Sequence, residues 1–162
     1  MEIVLSRLPR NAEEFNAMPE LDFASPFHIA ALFIVALCIY PQNSSECFRM
    51  IDILRGPQKL SPMERQFIHN RMIGKSLYIG KSYLTGATPE NDYAPTLPYA
   101  VGVESNWDTY AVAGYAKLYI RTGGADKPRP IELRKKGEDW YLWEYTELFA
   151  DIYKPTSTDP WL

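Results

Sequence analysis

Ser25-Pro26-Phe27-His28-Ile29-Ala30-Ala31-Leu32-Phe33-Ile34-Val35-Ala36-Leu37-Cys38-Ile39-Tyr40-Pro41 is the stretch that decides how this chain folds. Ser25 is an N-cap residue, and Pro26 takes the first helical position, where a missing N–H costs nothing. Pro41 stops the helix. Between them, Phe27 to Tyr40 is apolar almost all round, so neighbours must cover the helix on several sides. Its length as a helix is about 21 Å, short of the ~30 Å hydrocarbon core of a bilayer. The segment therefore reads as the central helix of a water-soluble core and not as a membrane span.

The elements on either side of it are helical too. Asn11 and Glu14 have capping-box spacing, which predicts a short helix from Ala12 to Met18, closed by Pro19. Asn43 and Glu46 repeat that spacing, Phe48, Ile51 and Leu54 then mark one face, and Gly56-Pro57 ends the helix. Ser61-Pro62-Met63-Glu64 combines N-cap, proline at the first position and glutamate at the third. It predicts a helix from Pro62 to about Ile73 with Phe67, Ile68 and Met72 inward.

Beyond residue 77 the character changes. Gly80, Gly86, Pro89, Asn91, Asp92, Pro95 and Pro98 make residues 77–98 a long loop of turn chemistry. Tyr99 to Val103 alternates weakly. Tyr110 to Arg121 alternates over a longer run, with Tyr110, Val112, Ala116, Leu118 and Ile120 on one face. Arg129 to Lys135 is the next strand, with Ile131 and Leu133 inward. Lys136-Gly137-Glu138-Asp139 turns the chain into a strand from Trp140 to Tyr145. Glu147 to Ile152 has room for one helical turn. Helices first and strands second predict an α+β fold, with N-terminal helices packed on a C-terminal antiparallel β-meander. One domain spans residues 1–162: a helical half at about 11–74, the loop at about 77–98, a β half at about 99–152 and a polar tail at 155–162.

Composition fits this reading. A chain of 162 residues buries roughly two thirds of its unfolded surface, so it needs no disulfide or structural metal to fold. Hydrophobic residues at 46% and charged residues at 23% are ordinary globular usage and exclude a disordered chain. A net charge of −3, with no basic stripe, argues against binding along a nucleic-acid backbone. Cys38 and Cys47 are too few for a secreted disulfide framework and read as small buried hydrophobes. The opening residues, Met1 to Arg7, lack the cationic-then-apolar pattern of a signal peptide. A cytoplasmic location is the expectation.

Candidate site residues fall in two loops. In Gly86 to Tyr93, Thr88 and Asn91 suit backbone hydrogen bonds, while Glu90 and Asp92 bring two carboxylates close together. This loop is read either as a ligand- or partner-binding loop or as an Ω-loop that satisfies its own backbone. Its spacing is not that of an EF-hand. The second loop follows Arg121, runs through Gly123-Gly124 and Asp126, and ends at Arg129. It could cradle an anion on backbone N–H groups, or be a wide hairpin loop in which Asp126 pairs with an arginine. It is not a phosphate-binding P-loop. Arg134-Lys135-Lys136 reads as a solvated basic edge. Tyr115, Tyr119, Tyr141, Trp143 and Tyr145 line one sheet face, either as a binding surface or as core under the helices.

No cofactor or metal follows from the residues: His28 and His69 have no ligand set at zinc spacing. No catalytic residue is assigned either, since Cys47 and His28 alone make no triad and no nucleophile elbow is present. The first functional reading is a non-catalytic binding or protein-interaction module, with another protein or a small molecule as partner. The alternatives are a small enzyme with a pocket between helices and sheet, and a purely structural accessory domain. Oligomeric state does not follow from the chain.

Four stretches together carry a resemblance. They are Ser25-Pro26-Phe27 with Leu37-Cys38-Ile39-Tyr40-Pro41, and Leu54-Arg55-Gly56-Pro57 with Leu60-Ser61-Pro62. The others are Gly86-Ala87-Thr88-Pro89-Glu90-Asn91-Asp92-Tyr93, and Gly123-Gly124-Ala125-Asp126 through Arg129-Pro130 to Trp140-Tyr141-Leu142-Trp143-Glu144. Asp159-Pro160-Trp161 fits as well. The chain resembles an uncharacterised bacterial family, a domain of unknown function common in Gram-positive gut bacteria. The resemblance implies an intracellular bacterial domain and supplies no activity, cofactor or catalytic residue.

Overall fold

A computed structural model describes residues 1–161; Leu162, the end of the polar tail read above, lies outside them. Four helices and five strands run in the order β1 (Glu2–Val4), α1 (Ala12–Asn16), α2 (Pro26–Ile39), α3 (Ser44–Arg55), α4 (Pro62–Met72), β2 (Ala100–Glu104), β3 (Tyr115–Ile120), β4 (Arg129–Lys136) and β5 (Asp139–Glu144). The fold is α+β, as the order of sequence patterns implies.

The helices start where their caps lie. Ser25 accepts the His28 N–H at the head of α2. At α4 the box is reciprocal: Ser61 accepts the Glu64 N–H at 3.1 Å and Glu64 accepts the Ser61 N–H at 3.0 Å. Asn43 caps α3 by accepting from Glu46. Glu46 does not close a box there. It reaches the Ala12 N–H at 2.9 Å and ties the head of α1 to α3. Every residue of α2 from Ile29 to Ile39 is buried, wrapped by α3 and by the sheet. No helix among the described residues is long and apolar enough to cross a membrane.

The sheet is an antiparallel meander in the order β1-β2-β3-β4-β5. Val101, Val103, Ala116, Leu118, Ile120, Ile131, Leu133 and Leu142 form its inner face and are buried against the helices. β1 is an addition to the strands read from sequence. Ile3 pairs with Val101, so the first residues close one edge of the sheet.

The third strand is shorter than its alternating pattern. It begins at Tyr115, not at Tyr110. Gly114 has φ of +82°, a left-handed conformation that breaks an extended run. Asn106, Asp108 and Thr109 fold the preceding residues into turns: Asn106 Oδ1 accepts the Asp108 N–H, and Thr109 Oγ1 accepts the Asn106 N–H. Tyr110 and Val112 are consequently exposed. The aromatic face is also revised. Tyr115, Tyr119, Tyr141 and Trp143 are half-buried, and Tyr141 packs against Phe23 and the end of α3. Tyr145 lies past the end of β5 and turns into the core, with its ring 5.3 Å from that of Phe33.

The long loop is not structureless. Ile79, Tyr83 and Leu84 are buried in the main core, and short 3₁₀ turns occupy Lys81–Tyr83 and Pro89–Asn91. A further 3₁₀ turn, Thr146–Phe149, follows β5.

Candidate functional site

The two loops singled out from sequence meet at one corner, where the segment after Phe149 crosses them. Asn91 organises the first. Its Oδ1 accepts the N–H groups of Thr88 and Ala94 at 2.9 and 3.0 Å, and its Nδ2 donates to the Gly86 carbonyl at 2.9 Å. Asp92 takes φ of +56° and accepts from the Ser157 hydroxyl. Tyr93 is buried, stacks on Tyr78 and donates to the Tyr153 carbonyl. Burial pushes its phenol up to about 12, so it stays a donor.

The second loop is held just as closely. Gly123 donates to the Ser82 carbonyl at 2.9 Å, and Gly124 accepts from Tyr153. Asp126 accepts from the Tyr153 hydroxyl. Arg129 donates to the carbonyls of Ala150, Asp151 and Lys127. Arg121 pairs with Glu2 at 2.9 Å and Glu104 at 3.2 Å. It shares a cleft of about 190 Å³ with Thr88. Glu90 is exposed and borders an open cavity of about 510 Å³ with Asp151, Tyr153 and Lys154. Six of the seven residues thus have partners inside the chain through side chain or backbone; Glu90 faces solvent.

A different arrangement lies where the end of α3 meets the β4–β5 hairpin. There a groove of about 270 Å³ is lined by Arg55, Pro57, Gln58, Tyr141 and Trp143, together with Leu142 and the Arg134-Lys135-Lys136 run. Its shape follows from two local irregularities. Gly56 has φ of +62°, and a Cβ there would come within 2.4 Å of the Tyr141 ring. Only glycine lets the helix end turn so closely over β5. The second irregularity is a bulge. Leu133 pairs with Leu142 but Glu132 pairs with Glu144, which leaves Trp143 outside the ladder.

The freed Trp143 carbonyl accepts from Arg55 Nη1 at 3.3 Å. Arg55 is only 5% exposed. Its Nε donates to the Gln58 carbonyl at 2.9 Å, and its Nη2 meets Glu64 at 3.1 Å. A guanidinium carries five N–H groups, so one on each terminal nitrogen lies beyond these bonds. Burial works against the Glu64 charge, but the Ser61 N–H, the Arg55 charge and the hydroxyls of Ser61 and Tyr145 hold its carboxyl below the ordinary range. The buried cation thereby keeps a counter-charge beside it.

The cations on β4 are arranged otherwise. Arg134 lies over the Trp143 ring, 4.5 Å from its centre, and 5.6 Å from that of Tyr115. Lys135 lies over Trp140. None of Arg134, Lys135 and Lys136 has a carboxylate partner among the described residues. The result is a groove that combines aromatic rings with a cationic rim.

Sequence reading offers Tyr141 and Trp143 as one alternative for an aromatic binding surface, but assigns neither Arg55 nor the basic run to it. Arg55 looks like an ordinary basic residue at a helix C-terminus, and Arg134 to Lys136 like a solvated edge. The usable signal was the hairpin register, which sets Arg134 opposite Tyr141 and so puts that cation and that ring on one face.

For metal or thiol chemistry the arrangement offers little. No cluster of three or more His, Cys, Asp or Glu able to hold a metal ion occurs among the described residues. Cys38 and Cys47 are free and buried. Burial pushes the Cys38 thiol up to about 12 and the Cys47 thiol higher, which keeps both protonated and unreactive.

A family model described as a domain of unknown function, DUF6935, matches residues 7–156. No curated protein and no solved structure matches the chain.

Proposed function

The chain belongs to the DUF6935 family, a domain of unknown function, and from its own geometry we propose that it is a non-catalytic binding module whose groove beside Arg55 takes an anionic small molecule. One observation carries this reading. Three cations, Arg134, Lys135 and Lys136, border a groove with no carboxylate in its lining, beside a fourth cation that is buried. Like charges gathered in this way repel one another, and a bound anion relieves that cost. Aromatic and apolar groups with a few converging polar ones are the usual lining of a ligand site. The overall net charge of −3 confines the attraction to the groove and disfavours a long polyanion such as nucleic acid.

The setting we propose is the bacterial cytoplasm. Two free, buried thiols fit a reducing compartment, and the four sequence stretches that resemble a bacterial family lie within the matched residues, apart from the closing Asp159-Pro160-Trp161.

The test is a titration with inorganic phosphate at constant ionic strength, read by thermal unfolding. Binding to the folded state raises Tm by mass action. The expected result is a saturable rise in the unaltered protein that Arg134→Gln weakens by about tenfold in Kd, as for a lost charge-assisted contact. An equal rise with chloride at matched ionic strength, or one unchanged by Arg134→Gln, overturns the proposal.

A further inference from the structure

The groove's lining is of two kinds, and that restricts what fills it. The rings of Tyr141 and Trp143 with Pro57 are one; the cations Arg55, Arg134, Lys135 and Lys136 are the other. A bare anion would use only the second kind. It would leave half-exposed aromatic surface in water, where burial against a flat partner is favourable. A neutral ring would use only the first and leave the cations unneutralised.

Charge and size narrow the choice further. Glu64 already balances Arg55, so the unbalanced charge comes from the three cations of β4. A carboxylate brings one negative charge, whereas a phosphate monoester brings about −1.5 to −2 at pH 7 with three strong acceptor oxygens. Arg55 and Arg134 suit such oxygens, since guanidinium presents parallel N–H groups to them. A volume of about 270 Å³ lies under the ~300 Å³ at which drug-sized sites begin. It accommodates one ring with its phosphate.

We infer that the ligand of this groove is a phosphate monoester carried on a single flat ring. The inference rests on the reading that the groove binds an anion, and the experiment separates the two. Dissociation constants of the full chain are measured calorimetrically for inorganic phosphate, phenyl phosphate, cyclohexyl phosphate and benzoate at one pH and ionic strength.

Phenyl phosphate is expected to bind about tenfold more tightly than inorganic phosphate, the size of effect that one ring–aromatic contact supplies. It should also bind several-fold more tightly than cyclohexyl phosphate or benzoate. Trp143→Leu should bring phenyl phosphate down to the level of inorganic phosphate. Equal binding of phenyl and inorganic phosphate overturns the ring while leaving the anion site intact. Phenyl and cyclohexyl phosphates binding alike overturns flatness, a comparison that needs no variant. Benzoate matching phenyl phosphate overturns the phosphate. Binding of none of the four removes the anion site itself.

Discussion

The corner built from residues 86–93 and 121–129 and the groove beside Arg55 are both rich in polar and charged side chains, yet they use them in opposite ways. At the corner, Asn91, Asp92, Asp126 and Arg129 bond to the chain's own backbone or to its own hydroxyls, and Arg121 to its own carboxylates. In the groove, Arg134, Lys135 and Lys136 meet only ring faces and solvent. Satisfied polar groups hold a loop in shape, whereas cations without counter-charges are a store of favourable interaction with something else. A polar residue's partners therefore say more about its role than its residue type does. Substitutions can break this contrast or sharpen it.

The largest effect is expected at the corner. A Cβ on Gly123 would lie 1.9 Å from the Ala87 carbonyl oxygen, a backbone atom that cannot swing away. Gly123→Ala must force the two loops apart, and overpacking of this kind costs about 3 kcal/mol. Urea unfolding should show the loss as a lower midpoint, while phosphate binding in the groove stays within about twofold of the unaltered protein. A loss of phosphate binding in a still-folded Gly123→Ala protein would mean that corner and groove form one site.

Beneath the groove sits Arg55, which unlike the cations of β4 does have a counter-charge. Glu64→Gln removes the charge facing Arg55 and keeps the shape. Because Glu64 is about a third exposed, solvent screens part of the pair, and the expected cost at pH 7 is about 1 kcal/mol. The sign with pH is set by the lowered carboxyl. Its stabilisation is complete above the unfolded-state value of about 4.3 and is lost as pH falls through the lower folded-state value. Urea midpoints of the two proteins should therefore differ at pH 7 and converge below about pH 4. A gap that persists at acid pH would place the effect in packing instead of charge.

Much of the fold was legible because its signals are local. Ser61, Pro62 and Glu64 sit within one helical turn, and their box forms as the spacing implies. Phe27 to Tyr40 is too apolar to lie anywhere but in the middle. The misreadings came where the deciding partner is distant or where a single residue leaves the extended conformation. β1 is three residues long and is a strand only because β2 returns beside it. The alternation of Tyr110 and Val112 belongs to no strand, since one left-handed glycine interrupts it. The turn chemistry of residues 86–92 was readable, and Asn91 performs it. Arg55 was not readable, because its burial depends on a bulge in strands far along the chain.

The smallest expected change in stability comes from the groove's rim, and its sign distinguishes the two regions most directly. Lys136 is exposed and, among the described residues, has neither a carboxylate partner nor a ring beneath it, so removing its charge takes away no ion pair. It takes away repulsion with Arg134. Lys136→Gln should unfold at the same urea concentration as the unaltered protein or slightly higher, by at most about 0.5 kcal/mol. Any gain should vanish in ~1 M salt, where the Debye length falls to about 3 Å. The same variant should bind phosphate several-fold more weakly. Charges that make the empty protein no more stable, yet are required for binding, are what a ligand site predicts and a structural edge does not. A clear loss of stability with unchanged phosphate binding would make the rim part of the architecture, like the corner.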